Sequence, residues 1–131
     1  MTQPTLPITR PLNIARDLGA SEIREVDFSL FDLFAVESRK GHPLVSGKTI
    51  IGCRIQGPAV MLASNGLTFD AVNFGDNGGD IRNLILRGEG TRAIGAIPFQ
   101  DCAFVACEFY GVGFTGPEAF LSQLRALGAQ N

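Results

Sequence analysis

From Ile23 onward the apolar positions of this chain fall on a beat of five. Ile23, Phe28 and Leu33 are in step; so are Ile50, Ile55 and Val60, then Phe69 and Phe74, and last Phe99, Phe104, Phe109 and Phe114. Neither a helix, with a period of about 3.6, nor a strand, with a period of about 2, repeats at that interval. The pattern instead predicts short strands separated by tight turns, each contributing one large inward residue. Upstream, residues 13–19 read as one or two helical turns with Asn13 as N-cap and Gly19 just past the end. Downstream, Gly116, Pro117 and Glu118 signal a helix start, and Phe120, Leu121, Leu124 and Leu127 form an apolar stripe at helical spacing before Gly128. Segments 35–47, 75–80 and 87–92 read as loops.

The last run carries a second regularity. Ile97, Cys102, Cys107 and Val112 each stand two positions before one of the four phenylalanines. Cys53 before Ile55, Leu67 before Phe69, Val72 before Phe74 and Val26 before Phe28 repeat it singly. This resembles the pentapeptide-repeat family. The resemblance implies that the central Phe and the smaller residue two before it point inward, and that four such units make one square coil of a right-handed β-helix. Steps of twenty then predict columns such as Leu84 with Phe104, and Phe74 with Ile94 and Phe114. The expected fold is therefore all-β: a right-handed parallel β-helix, or solenoid, of four to five coils with a short C-terminal α-helix. The alternative is a small antiparallel β-sandwich. The expected layout is an extended N-terminal arm over 1–12, the β-helix over 13–114, and a helix over 115–128 that either caps the last coil or forms a dimer through Phe120, Leu121, Leu124 and Leu127.

Composition narrows the class. The chain has 131 residues, enough for one domain, with 45% hydrophobic and 18% charged residues, and so is not a disordered sequence. The 16 glycines suit many turns and the 10 phenylalanines suit a core without polar handles. A net charge of −2 argues against direct nucleic-acid binding. No apolar run reaches the roughly 20 residues of a membrane span and no secretory signal is evident, so the expected setting is cytoplasmic. The three cysteines, Cys53, Cys102 and Cys107, read as core thiols rather than disulfide partners or nucleophiles. One histidine, His42, cannot supply a multi-histidine metal site; no cofactor, metal site or catalytic set is expected.

The remaining signal is charge. Glu22, Glu25, Asp27, Asp32 and Glu37 crowd one stretch, and Asp70, Asp76 and Asp80 another. Asp76 to Asp80 reads as turn chemistry, a calcium loop or a partner contact; a calcium loop of the EF-hand kind would need Glu where Arg87 stands. Stacked on flat walls, the acids would form a negative ridge, and Arg82, Arg87 and Arg92 a basic one; a mixed solvated surface is the alternative. The resemblance implies a non-enzymatic module pressing a flat charged wall on a protein partner, its most concrete version being a DNA-mimic inhibitor of a nucleic-acid-handling enzyme. Partner-binding candidates are Glu22, Glu25, Asp27, Asp32, Asp70, Asp76 and Asp80. The other two readings are a structural homo-oligomer, dimeric through the C-terminal helix, and a small enzyme using Asp70, Asp76 and Arg82 on a polar substrate.

Overall fold

A computed structural model describes residues 8–88 and 93–129; residues 1–7 of the expected arm, and Arg92 of the expected basic ridge, lie outside the described residues. The elements in chain order are β1 (Glu22–Arg24), β2 (Asp27–Ser29), α1 (Leu30–Arg39), β3 (Val45–Ser46), β4 (Thr49–Ile51), β5 (Arg54–Ala63), β6 (Thr68–Asp70), a 3₁₀ helix (Ile81–Leu84), β7 (Ile97–Gln100), β8 (Ala103–Val105), β9 (Glu108–Thr115) and α2 (Glu118–Ala129). The strands form two parallel sheets. One has four strands in the order β1-β4-β8-β6; the other has five, in the order β2-β5-β7-β3 with β9 also on β5.

This corrects the expected fold class. Parallel pairing throughout both sheets removes the antiparallel sandwich. Two features overturn the all-β solenoid and make the arrangement α/β in type. First, helices are interspersed with the strands. Leu30 and Leu33 are buried at helical spacing in α1, whose start is fixed by the Ser29 hydroxyl accepting the Asp32 N–H at 3.0 Å. The step from Phe28 to Leu33 thus passes from strand to helix, and residues 35–39 are helical rather than loop. Second, the strands do not stack in chain order. β8 lies between β4 and β6, pairing Ile50 with Phe104 and Phe104 with Phe69. A late segment is therefore wedged between two earlier ones. The columns expected at steps of twenty are accordingly broken: Phe74 and Phe114 meet edge-on at 5.3 Å but Ile94 between them is 94% exposed, and Phe104 pairs with Ile50 and Phe69 instead of Leu84.

The core is a stack of large apolar residues between the two sheets. Phe99, Phe104, Phe109 and Phe114 are all fully buried. Phe69 stacks on Phe104 with ring centroids 5.2 Å apart, and Phe74 on Phe109 at 6.0 Å. The layers share one corner. The residue after each strand of the four-stranded sheet has a left-handed backbone: Glu25 after β1, Gly52 after β4, Ala106 after β8 and Ala71 after β6. Repetition of the same backbone angle keeps the successive layers in register even where the side chain is not glycine.

The C-terminal helix packs on the 3₁₀ helix, with Leu121, Leu124 and Leu127 buried inside the chain and Phe120 half-buried beside Phe69 and Phe114. A dimer built on these leucines would require α2 to leave its own core. At the other end, residues 13–19 form no helix. Asn13 is drawn instead onto the wall of β2, where its side chain donates to the Glu25 carbonyl at 2.9 Å.

Candidate functional site

In β2, β5 and β9 the alternation of the strand puts Phe28, Ile55 and Phe109 inside and their neighbours outside. Two outward columns result. One is Asp27, Arg54 and Glu108; the other is Ser29, Gln56 and Tyr110.

The charged column is covered by residues 8–15, which cross the three strands. Arg54 grips Asp27 with two contacts, Nε to Oδ1 at 2.6 Å and Nη2 to Oδ2 at 2.9 Å. From above, Arg10 donates to Asp27 at 3.1 Å, and the Asn13 N–H donates to the same carboxylate at 2.6 Å. The Ile8 N–H donates to Glu108 at 2.6 Å. Asp27 is buried, as is Glu108. The Arg54 guanidinium, against the opposing push of burial and with help from Arg10 and the Asn13 N–H, holds the Asp27 carboxyl well below the ordinary carboxylate range.

The second column is the floor of an open groove of about 570 Å³. Its lining joins Ser29, Gln56 and Tyr110 to Leu12, Ile14, Ala15 and Leu18 of the N-terminal segment, with Asp32 at the start of α1 and the Asp27–Arg54 pair. The segment is held inside out. Its polar Arg10 and Asn13 face the protein, while Leu12 is 72% and Ile14 63% exposed, and Tyr110 opposite them is 44% exposed.

The acids expected to form one wall are dispersed. Asp27 and Asp32 meet at the groove. Glu22 is exposed and paired with Arg24 at 3.1 Å. Glu25 sits at the left-handed corner after β1, and Asp70 is exposed at the end of β6. Asp76 closes a turn by accepting the Gly78 N–H at 2.8 Å. Asp80 caps the 3₁₀ helix and pairs with Arg82 at 2.7 Å. Glu37 is buried on the inner side of α1. Burial pushes its carboxyl up, but the His42 contact at 3.0 Å, Lys48 at 3.4 Å and Lys40 at 3.3 Å outweigh this and leave it below the usual range. Arg87 and Arg125 both hold Glu118 and lower its carboxyl to about 2. Most of this charge is spent within the chain.

Cys53, Cys102 and Cys107 are buried free thiols that donate to backbone carbonyls such as Ile50 O, 3.3 Å from Cys107 Sγ. Burial raises all three and pushes Cys107 up to about 12. Because the thiolate is the reactive form, none is set up as a nucleophile. Native protein is expected to resist a disulfide-exchange reagent for hours at pH 8, whereas guanidinium should release three equivalents of thiol; rapid labelling without denaturant would show an accessible cysteine. Among the described residues no three His, Cys, Asp or Glu side chains cluster as metal ligands, and no helix is long and apolar enough to cross a membrane.

Leu12, Ile14, Arg54, Glu108 and Tyr110 did not stand out in the sequence. One signal was present for two of them: Arg54 and Glu108, like Asp27, each immediately precede an in-step core residue. Nothing local marks Leu12 and Ile14, whose exposure follows from how Arg10 and Asn13 are bound. No protein-family model matches the chain, and neither a curated protein nor a solved structure does.

Proposed function

We propose that this protein is a non-enzymatic protein-binding module whose contact surface is the groove between the N-terminal segment and the column Ser29, Gln56 and Tyr110. The observation that carries this reading is the inside-out segment. Arg10 and Asn13 spend side-chain donors on the protein, and Leu12 and Ile14 are held outward in the same groove as a half-exposed tyrosine. Apolar side chains held this way on a pinned backbone lose little further freedom when a partner covers them, and Tyr is an effective contact residue for the same reason.

Charge defines the occupant. Asp27 is already neutralised by Arg54, so the Asp32 carboxylate sets the sign of the groove. The fitting partner segment presents apolar side chains to Leu12, Ile14 and Tyr110 and a Lys or Arg to Asp32. The DNA-mimic version draws no support from the charge distribution, because the acids it needs are dispersed or paired.

The double variant Leu12→Asp, Tyr110→Ala tests the reading. Both side chains are exposed, so its stability should stay within about 0.5 kcal/mol of the parent. Immobilised parent protein, incubated with host lysate and nuclease, should retain a protein that the variant loses at least tenfold. Equal retention by both, with melting curves superimposed, would remove the groove as the contact surface.

A further inference from the structure

Adjoining the groove, and sharing Asp27 and Arg54 with its lining, is the slot in which residues 8–15 rest. Its walls read an extended backbone. The Asp27 N–H donates to the Asn13 carbonyl at 2.7 Å and the Ala15 N–H donates to the Asp27 carbonyl at 3.0 Å, so the segment extends the sheet by a short parallel bridge. Arg54 Nη2 donates to the Pro11 carbonyl at 3.1 Å. Glu108 and Asp27 accept the Ile8 and Asn13 N–H groups. Two side chains are read as well. Arg10 reaches the Asp27 carboxylate and the Val26 and Gly52 carbonyls, each at 3.1 Å, and Asn13 reaches the Glu25 carbonyl.

Three observations bear on how tightly this occupant is held. The slot itself is net acidic, with Asp27 and Glu108 against Arg54, and depends on an arginine brought from outside it. The resident arginine is also imperfectly satisfied, because Arg10 Nε is buried without a hydrogen-bond partner among the described residues. Leu12 and Ile14 are exposed and Ala15 alone of the segment packs against the core, so the hold is mainly polar.

We propose that the Asp27, Arg54 and Glu108 slot is a docking site for an extended, arginine-bearing peptide segment of a partner, and that the chain's own residues 8–15 are its resident, displaceable occupant. Recognition in this mode uses backbone hydrogen bonds for hold and one arginine for register. The tethered segment competes with any incoming one at a high effective concentration, so the site is self-masked until the resident is loosened.

The test uses the full chain with Arg10→Ala and a fluorescein-labelled synthetic peptide copying residues 8–16. Anisotropy titration should give a Kd for the variant at least thirtyfold below that for the parent. The same peptide with alanine at its Arg10 position should bind at least tenfold more weakly, and binding should weaken steeply as salt rises from about 0.05 to 0.3 M. Trypsin should cleave after Arg16 faster in the variant while the remainder stays protected. A variant with a cooperative melt and a trypsin-sensitive N-terminal segment that fails to bind the peptide would overturn the proposal, as would equal binding of both peptides. If Arg10→Ala does not fold, Arg10→Lys carries the same titration, since it keeps the charge and loses the multi-point fork. The two readings share residues 8–15 but fail separately: Leu12→Asp, Tyr110→Ala leaves the Arg10 and Asn13 contacts in place, whereas the peptide titration reads only the Asp27, Arg54 and Glu108 slot.

Discussion

Phe109→Ala is expected to lower the unfolding free energy by about 3–5 kcal/mol, enough to unfold a domain of ordinary stability at moderate temperature. Phe109 is fully buried and touches four other rings: it stacks on Phe74 at 6.0 Å, meets Phe114 edge-on at 5.4 Å and Phe104 at 5.5 Å, and reaches Phe69 at 6.5 Å. Truncation removes contacts with both sheets at once. The surrounding rings cannot close the gap, because each is held by its own layer. Phe109→Leu, which keeps most of the volume, should cost less than half as much. Urea unfolding followed by far-ultraviolet circular dichroism measures both. A loss under 1 kcal/mol for the alanine variant would mean that the aromatic stack is not the centre of the core.

Arg54→Met carries the second large effect. It leaves the buried Asp27 carboxylate with Arg10 and the Asn13 N–H but without its bidentate partner. Removing one member of a buried pair is strongly destabilising, and here the surviving Arg10 contact and the partial exposure of Arg54 temper the loss. The pH dependence distinguishes it from simple loss of packing. Asp27 is held below its unfolded value, so its pairing stabilises the fold above the unfolded carboxyl pKa of about 3.9 and the benefit fades as pH falls below that value. In Arg54→Met the folded carboxyl moves back toward the unfolded one. Stability between about pH 5 and pH 2 should therefore fall less steeply than in the parent, measured by chemical denaturation across that range. Parallel curves, displaced but equally steep, would show that the Arg54 contact does not act through the Asp27 charge.

The acid column matters to both surfaces. Asp27 is the point where the N-terminal segment, β2 and β5 meet, and Leu12 and Ile14 take their places in the groove because Arg10 and Asn13 are bound there. Weakening the column should loosen the segment, and with it the rim of the groove. Partner capture by Arg54→Met should fall along with its stability, whereas Leu12→Asp, Tyr110→Ala separates the two.

Residue type and spacing determined part of the core, although in-step Val60 is only partly buried beside a fully buried Met61, and Ile94 is exposed. The in-step phenylalanines are buried because a large side chain without a polar group has no favourable alternative, and Cys53, Cys102 and Cys107 are buried beside them for a similar reason. The start of α2 was legible as well, because helix-start chemistry is local. α1 was not: Leu30, Leu33 and Glu37 lie at helical spacing, but the five-residue beat runs through the same leucine and masks it. Only the tertiary structure decided the order of layers. Asp27 meets Arg54 at a separation of 27 residues, Arg54 meets Glu108 across 54, and β8 inserts between β4 and β6, pairings that depend on which edges come together in space. The acids of residues 22–37 look alike in the sequence. Arg54 and the crossing N-terminal segment bury Asp27, Lys40 and Lys48 enclose Glu37, and Glu22 and Asp32 stay exposed, because the free energy of a charge is set by what surrounds it.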